Sequence, residues 1–290
     1  MTGPVVLTVG SLHHDIMVEA EHLPRRDETA VGRRWYPKFG GKGGNQAVAV
    51  ARAGVASRFY GAVGADGFGA FLTAGLAAGG VQADRVAVLE GVGSGMSVAI
   101  LDAAGDYGAV IVSGANLAIP VGGLAEAALW EGVALLILQN EVPEAVNLAA
   151  AREARARGVR VVLNAAPVRE MGAELAGLVD LLVVNAVEAE MLGGGAVASL
   201  AGAEAAAGRL AERFGAVIVT AGGAGCAGVS GGERFALAAE RVKVVSSHGA
   251  GDAFIGALAA ALAHGAGLEA AARAASVAAA RHVAGGGGAG

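Results

Sequence analysis

With 290 residues and 54% hydrophobic content the chain is long enough to bury a substantial core, and its net charge of −5 comes without any basic run beyond Arg25-Arg26 and Arg33-Arg34. That balance argues against a nucleic-acid partner. The 49 glycines follow no three-residue period, which excludes collagen, and Cys226, the single cysteine, can form no internal disulfide. No stretch reaches about 18 uninterrupted apolar residues and no leader pattern opens the chain, so a cytoplasmic protein with no membrane partner is expected.

Val5 to Val9 is a β-branched apolar run, the pattern of a strand buried on both faces. Similar runs recur at Val133 to Leu138, Val159 to Leu163, Leu181 to Val184 and Ala216 to Thr220. Alanine-rich stretches with helical spacing lie between and after them, at Glu144 to Arg157, Glu204 to Phe214 and Ala250 to Ala263. This alternation implies an α/β fold with a mostly parallel sheet covered by helices. Two segments depart from it: Glu28 to Phe39 has no helical period, and Gly95 to Val112 reads as two strands around Ala104-Gly105-Asp106. They are expected to form a small inserted sheet that covers a ligand crevice.

Three segments carry candidate chemistry. Asp15, in Gly10-Ser11-Leu12-His13-His14-Asp15, follows the first strand, where a carboxylate faces the crevice and can accept hydrogen bonds from two adjacent hydroxyls; an exposed turn aspartate is the plainer reading. The adjacent His13 and His14 point to opposite faces of a strand and cannot chelate a metal together. In Phe39-Gly40-Gly41-Lys42-Gly43-Gly44-Asn45-Gln46-Ala47 the glycines flanking Lys42 allow close backbone approach to a ligand, ahead of a helix from Gln46 to Arg52. It is not a Walker loop, since neither Ser nor Thr follows the Gly-Lys pair. In Ser247-His248-Gly249-Ala250-Gly251-Asp252 the small residues leave the first amides of a helix open to an anion such as a phosphoryl group. Asp252 then falls in the first helical turn, where it either stabilises the helix start or acts on whatever the amides bind. Gly223 to Gly228 has dinucleotide-binding spacing but leads into Val229-Ser230-Gly231-Gly232 rather than a helix, and reads as a turn.

Together with Asn185 to Glu190 and Thr220 to Gly225, these segments appear in the order and spacing of the ribokinase-like, or PfkB-type, carbohydrate kinases, which the chain resembles over nearly its whole length. The resemblance is strongest to the ribokinase branch, from whose usual glycine-rich motif this chain differs at Gly44. It implies a single kinase domain over residues 1–290, a three-layer α/β/α fold with lid strands near 11–18, 28–39 and 95–112, and a homodimer formed through the lid. It also implies sugar contacts from His13, Asp15, Gly41, Lys42, Asn45 and Glu141, and nucleotide contacts from Asn185, Glu188, Thr220, Gly222 and Ser276. Glu188 would hold Mg2+ through water, Asp252 would be the base, and the amides of Gly249, Ala250 and Gly251 the anion hole.

The implied reaction is transfer of the γ-phosphoryl of ATP to a hydroxyl of a small sugar, with ribose foremost. The other readings are a nucleoside or ketohexose kinase, and a binding protein of the same fold without catalysis. Two departures from the family pattern bear on this. His13 replaces the usual Asn, which affects the choice of sugar, and Ser246 replaces the aspartate that would help bind a monovalent cation such as K+.

Overall fold

A computed structural model describes residues 3–104 and 106–286. The expected turn at Ala104-Gly105-Asp106 lies partly outside the described residues at Gly105, as do the final glycines of the tail. The chain begins with β1 (Val5–Val9), β2 (His13–Ala20), β3 (Gly32–Gly40), α1 (Lys42–Arg52), β4 (Ala56–Gly64), α2 (Gly67–Ala78) and β5 (Val81–Leu89). It continues with β6 (Met96–Leu101), β7 (Tyr107–Val112), β8 (Val133–Gln139), α3 (Glu144–Ala156), β9 (Arg160–Asn164), α4 (Ala173–Leu178), β10 (Leu181–Asn185) and the short α5 (Ala186–Ala189). The last elements are α6 (Leu200–Phe214), β11 (Ala216–Thr220), β12 (Cys226–Ser230), β13 (Glu233–Leu237), α7 (Ala250–Ala263) and α8 (Leu268–Arg281).

Nine strands form the main sheet in the order β13-β12-β11-β10-β9-β8-β1-β4-β5, parallel except for β12 and β13 at one edge. The apolar runs alternate between its two faces. Leu136 and Leu138 of β8, Val161 and Leu163 of β9, and Val217 and Val219 of β11 enter a core with α3, α4 and α6. Their neighbours Ile137, Val162 and Ile218 enter a second core with α7 and α8. Burial on both faces explains why these strands read as continuous apolar runs. The result is the expected three-layer α/β/α arrangement, with α1 and α2 closing a third cluster around Phe59 and Leu72.

The second sheet has four strands in the order β3-β2-β6-β7. Its strands begin later than the sequence pattern suggests, at His13 rather than residue 11 and at Gly32 rather than residue 28. Conversely α1 begins at Lys42, four residues before the expected start at Gln46, so that glycines of low helix propensity are carried into its first turn by packing. Gly43 there lies so close to Ser11 and Gly10 that a Cβ would meet their backbone at 2.6 and 2.8 Å.

Candidate active site

Two helix starts converge beyond the carboxyl ends of the parallel strands. Gly249 caps α7 with φ of 79°, a left-handed conformation that glycine adopts without a Cβ penalty, and turns the chain so that Asp252 sits in the first turn. The helices α1 and α7 cross closely enough that a Cβ on Gly256 would stand 2.3 Å from the Cβ of Ala49. That approach brings Lys42, Asn45 and Gln46 up to Asp252.

The Asp252 carboxylate accepts a hydrogen bond from Asn45 Nδ2 at 3.2 Å on one oxygen and from Gln46 Nε2 at 3.0 Å on the other. Gln46 Nε2 also reaches Asn164 Oδ1 at 3.0 Å, and Gln46 Oε1 accepts from Gln139 Nε2 at 2.8 Å. Burial pushes the Asp252 carboxyl up from the ordinary aspartate value, while the charge of Lys42 and the two amide donors oppose that rise. Asp252 is therefore fixed in two oxygens and more basic than an exposed aspartate.

A cleft of about 210 Å³ opens beside it, lined among others by Lys42, Asn185, Glu188, Thr220, Gly249, Gly251 and Asp252. Asn185 and Glu188 form a capping box at the start of α5: Glu188 N–H donates to Asn185 Oδ1 at 2.9 Å, and Asn185 N–H to Glu188 Oε2 at 2.8 Å. Burial holds the Glu188 carboxyl above its usual range, and the nearby Lys42 pulls it back down. Ala250 is not among the residues lining this cleft, and its N–H donates to the Ser247 carbonyl at 3.2 Å. Gly222 lies in a short turn after β11, and Ser276 faces Cys226 at 3.5 Å from α8; neither lines the cleft.

On the lid side, Glu141 Oε2 accepts from Ser11 Oγ at 2.5 Å and from the Lys42 N–H at 2.8 Å, with His13 Nδ1 at 3.8 Å. Asp15 lies within β2 of the lid rather than at the end of β1, paired in register with Lys38 and bonded by Ser97 Oγ at 2.5 Å. Gly41 caps α1 between the two. The His248 imidazole is held below its ordinary pKa by burial and by Lys38 and Lys42, with Asp15 acting the other way. Ser246 Oγ accepts from the His248 N–H at 3.3 Å.

Gln46, Gln139 and Asn164, which set the Asp252 carboxylate, received no role from the sequence. A signal was present: Gln139 and Asn164 are the polar residues that end the apolar strands β8 and β9, as Asn185 and Thr220 end β10 and β11. At those ends an open α/β sheet exposes its ligand crevice.

The pfkB family of carbohydrate kinases matches the chain over residues 5–289. This protein belongs to that family. It is 34% identical to the ribokinase of Mus musculus over 259 residues, which is 88% of this chain and 80% of that protein. With the ribokinase of Bacillus subtilis (strain 168) it shares 33% identity over 269 residues, 92% of this chain and 89% of the relative. Among solved structures, Arabidopsis thaliana ribokinase complexed with ribose and ATP superposes with a TM-score of 0.89 at 30% identity, covering 98% of this chain and 93% of that one.

Proposed function

We propose that this pfkB-family kinase transfers the γ-phosphoryl of ATP to a hydroxyl of ribose, with Asp252 as general base. The observation that carries the reading is the placement of Asp252, raised in pKa and held by Asn45 and Gln46, beside the helix start at Gly249 and Gly251. The mouse and Bacillus subtilis relatives named as ribokinases supply the choice of sugar.

The acceptor hydroxyl is a poor nucleophile at neutral pH. Asp252 takes its proton as the new oxygen–phosphorus bond forms and the bond to the ADP oxygen breaks. The amides of Gly249 and Gly251 and the dipole of α7 face the transferring group, and the Lys42 ammonium adds positive charge where phosphoryl charge spreads. Asp15 and Glu141, with His13, Gly41 and Asn45, hold the sugar between lid and sheet. Asn185, Glu188 and Thr220, which line the cleft, meet the nucleotide.

Among the described residues no group of three or more His, Cys, Asp or Glu side chains could cage a metal. The Glu188 carboxylate at the cleft suits Mg2+ that arrives with ATP and keeps most of its waters, and the partly buried Glu188 would gain from a cation beside it. Such an ion would neutralise phosphate charge. No helix among the described residues is long and apolar enough to cross a membrane, and the buried lone Cys226 suits a cytoplasmic setting.

Ribose-dependent ADP release tests the reading directly. Asp252→Asn keeps the shape and loses the base, so kcat falls by about 10²- to 10⁴-fold with little change in sugar affinity. A variant within threefold of wild type would exclude Asp252 as the base.

A further inference from the structure

The helices α7 and α8 are each 14 residues long and follow one another after a short turn, so the end of α8 returns to the level of the start of α7. Ala271, Ala272 and Ala275 of α8 share a buried core with Leu258, Ala259 and Leu262 of α7, which fixes the two helices against each other. His282, the residue that follows the last turn of α8, is thereby held beside the loop that leads into α7.

Its imidazole meets that loop at one peptide. His282 Nε2 lies 2.9 Å from the His248 carbonyl oxygen. A carbonyl only accepts, so this ring nitrogen carries a proton and donates it. The same ring lies against the backbone of Gly249, where a Cβ would stand 3.1 Å from His282 Nε2 and 3.5 Å from its Cε1. On the other side of Ser247, the Val283 carbonyl accepts from the N–H groups of Val245 and Ser246 at 2.8 and 3.3 Å.

The His248 carbonyl and the Gly249 N–H belong to one planar trans peptide, and in such a unit they point in opposite directions. Pinning the carbonyl on His282 therefore aims the Gly249 N–H away from the tail. Gly249 lines the cleft with Gly251 and Asp252, and its N–H donates to no other group among the described residues. Glycine turns freely at this position, so the direction of that amide needs a restraint from outside its own segment.

We propose that His282 is a positioning residue for phosphoryl transfer: by holding the His248 carbonyl it fixes the direction of the Gly249 amide at the anion hole, without touching sugar or nucleotide itself. The catalytic consequence rests on the kinase reading above, whereas the fixing of the peptide rests on the contacts of His282. A preorganised amide counts most where charge builds on the transferring group, so the loss of His282 tells on kcat more than on ground-state binding.

Steady-state kinetics of ADP release with ribose test this in three variants. His282→Phe keeps a flat ring beneath Gly249 and removes the donor; kcat falls by about tenfold while KM for ribose and for ATP each stay within about threefold. His282→Leu removes the donor without the ring and covers the case in which Phe is not accommodated. His282→Gln carries an amide nitrogen where Nε2 stood and recovers most of the lost kcat. The proposal is overturned if His282→Phe and His282→Leu both keep kcat within about threefold of wild type, if KM rises in step with the loss of kcat, or if His282→Gln is as impaired as the others. If the wild type releases no ADP with ribose, the kinase reading fails, and the positioning role is read without turnover. In isotope-labelled protein titrated with orthophosphate, the NMR signal of the Gly249 amide then shifts in the wild type and in His282→Gln but not in His282→Phe. An equal response in wild type and His282→Phe overturns the role in that case.

Discussion

Asp252 carries a conflict between stability and chemistry. Its carboxyl is buried, so the folded protein binds its proton more tightly than the unfolded chain does. For a group raised in this way, the stabilising contribution is complete below the unfolded-state pKa and is lost as pH rises through the folded-state value. Once ionised, the base therefore costs the fold stability. Asn at this position resembles the protonated acid. The melting temperature of Asp252→Asn should match wild type at acidic pH, below the ordinary aspartate range, and exceed it increasingly as pH rises toward 8. Thermal melts of both proteins across that range check the sign, and a variant less stable than wild type at pH 8 would contradict it. The same shift moves the acidic limb of kcat/KM above the ordinary aspartate value.

At the scale of elements, the loop before α7 is held from the tail. Val245 and Ser246 donate their N–H groups to the Val283 carbonyl at 2.8 and 3.3 Å, and His282 Nε2 lies 2.9 Å from the His248 carbonyl, where its N–H form donates. Where the family resemblance leads one to expect an aspartate and a monovalent cation, this chain has the neutral hydroxyl of Ser246, itself engaged by the His248 N–H. A hard cation loses its strongest oxygen partner there, and the tail supplies order by hydrogen bonds instead. Activity should accordingly vary by no more than about threefold in kcat/KM between potassium, sodium and a bulky organic cation at equal ionic strength, where screening is constant. A rise above tenfold with potassium would refute this, and potassium dependence appearing in Ser246→Asp would support it.

Over the whole molecule, the lid has two unlike faces. Cross-strand register puts Lys38, Asp15, Ser97 and Ile111 in one row, and Ile111 lines a cavity with His13 and Glu141. The opposite face carries Trp35, Val18 and Ile100 in another row, with Ile16, Val98 and Val110 beside it. Trp35 and Val110 are 66% and 68% exposed. A contiguous apolar face of that kind fits a second copy of the chain, related by a two-fold axis. Val110→Glu buries a charge in such an interface and should weaken the dimer by at least about tenfold, or about 1.4 kcal/mol. Sedimentation velocity over a concentration series measures this; a wild-type protein that stays monomeric, or a variant that associates equally well, would argue against the lid as the interface.

The sequence by itself determined the layered α/β architecture, because strands buried on both faces need unbroken apolar runs and their covering helices need a 3.6-residue period. It also marked Asp252 and the glycine-rich segment at Lys42, because open helix starts require small residues at fixed places. Only the tertiary structure decided what surrounds them. Gln46 and Asn45 reach Asp252 across more than 200 residues of chain through the α1 and α7 crossing, and Gln139 and Asn164 join them from separate strands. Arg169 and Asn140 look unremarkable in sequence, since a polar residue in a loop is ordinarily solvated. Asn140 is buried near His13 and Arg169 donates to the Val142 carbonyl beside it, a long-range packing outcome that no local pattern encodes.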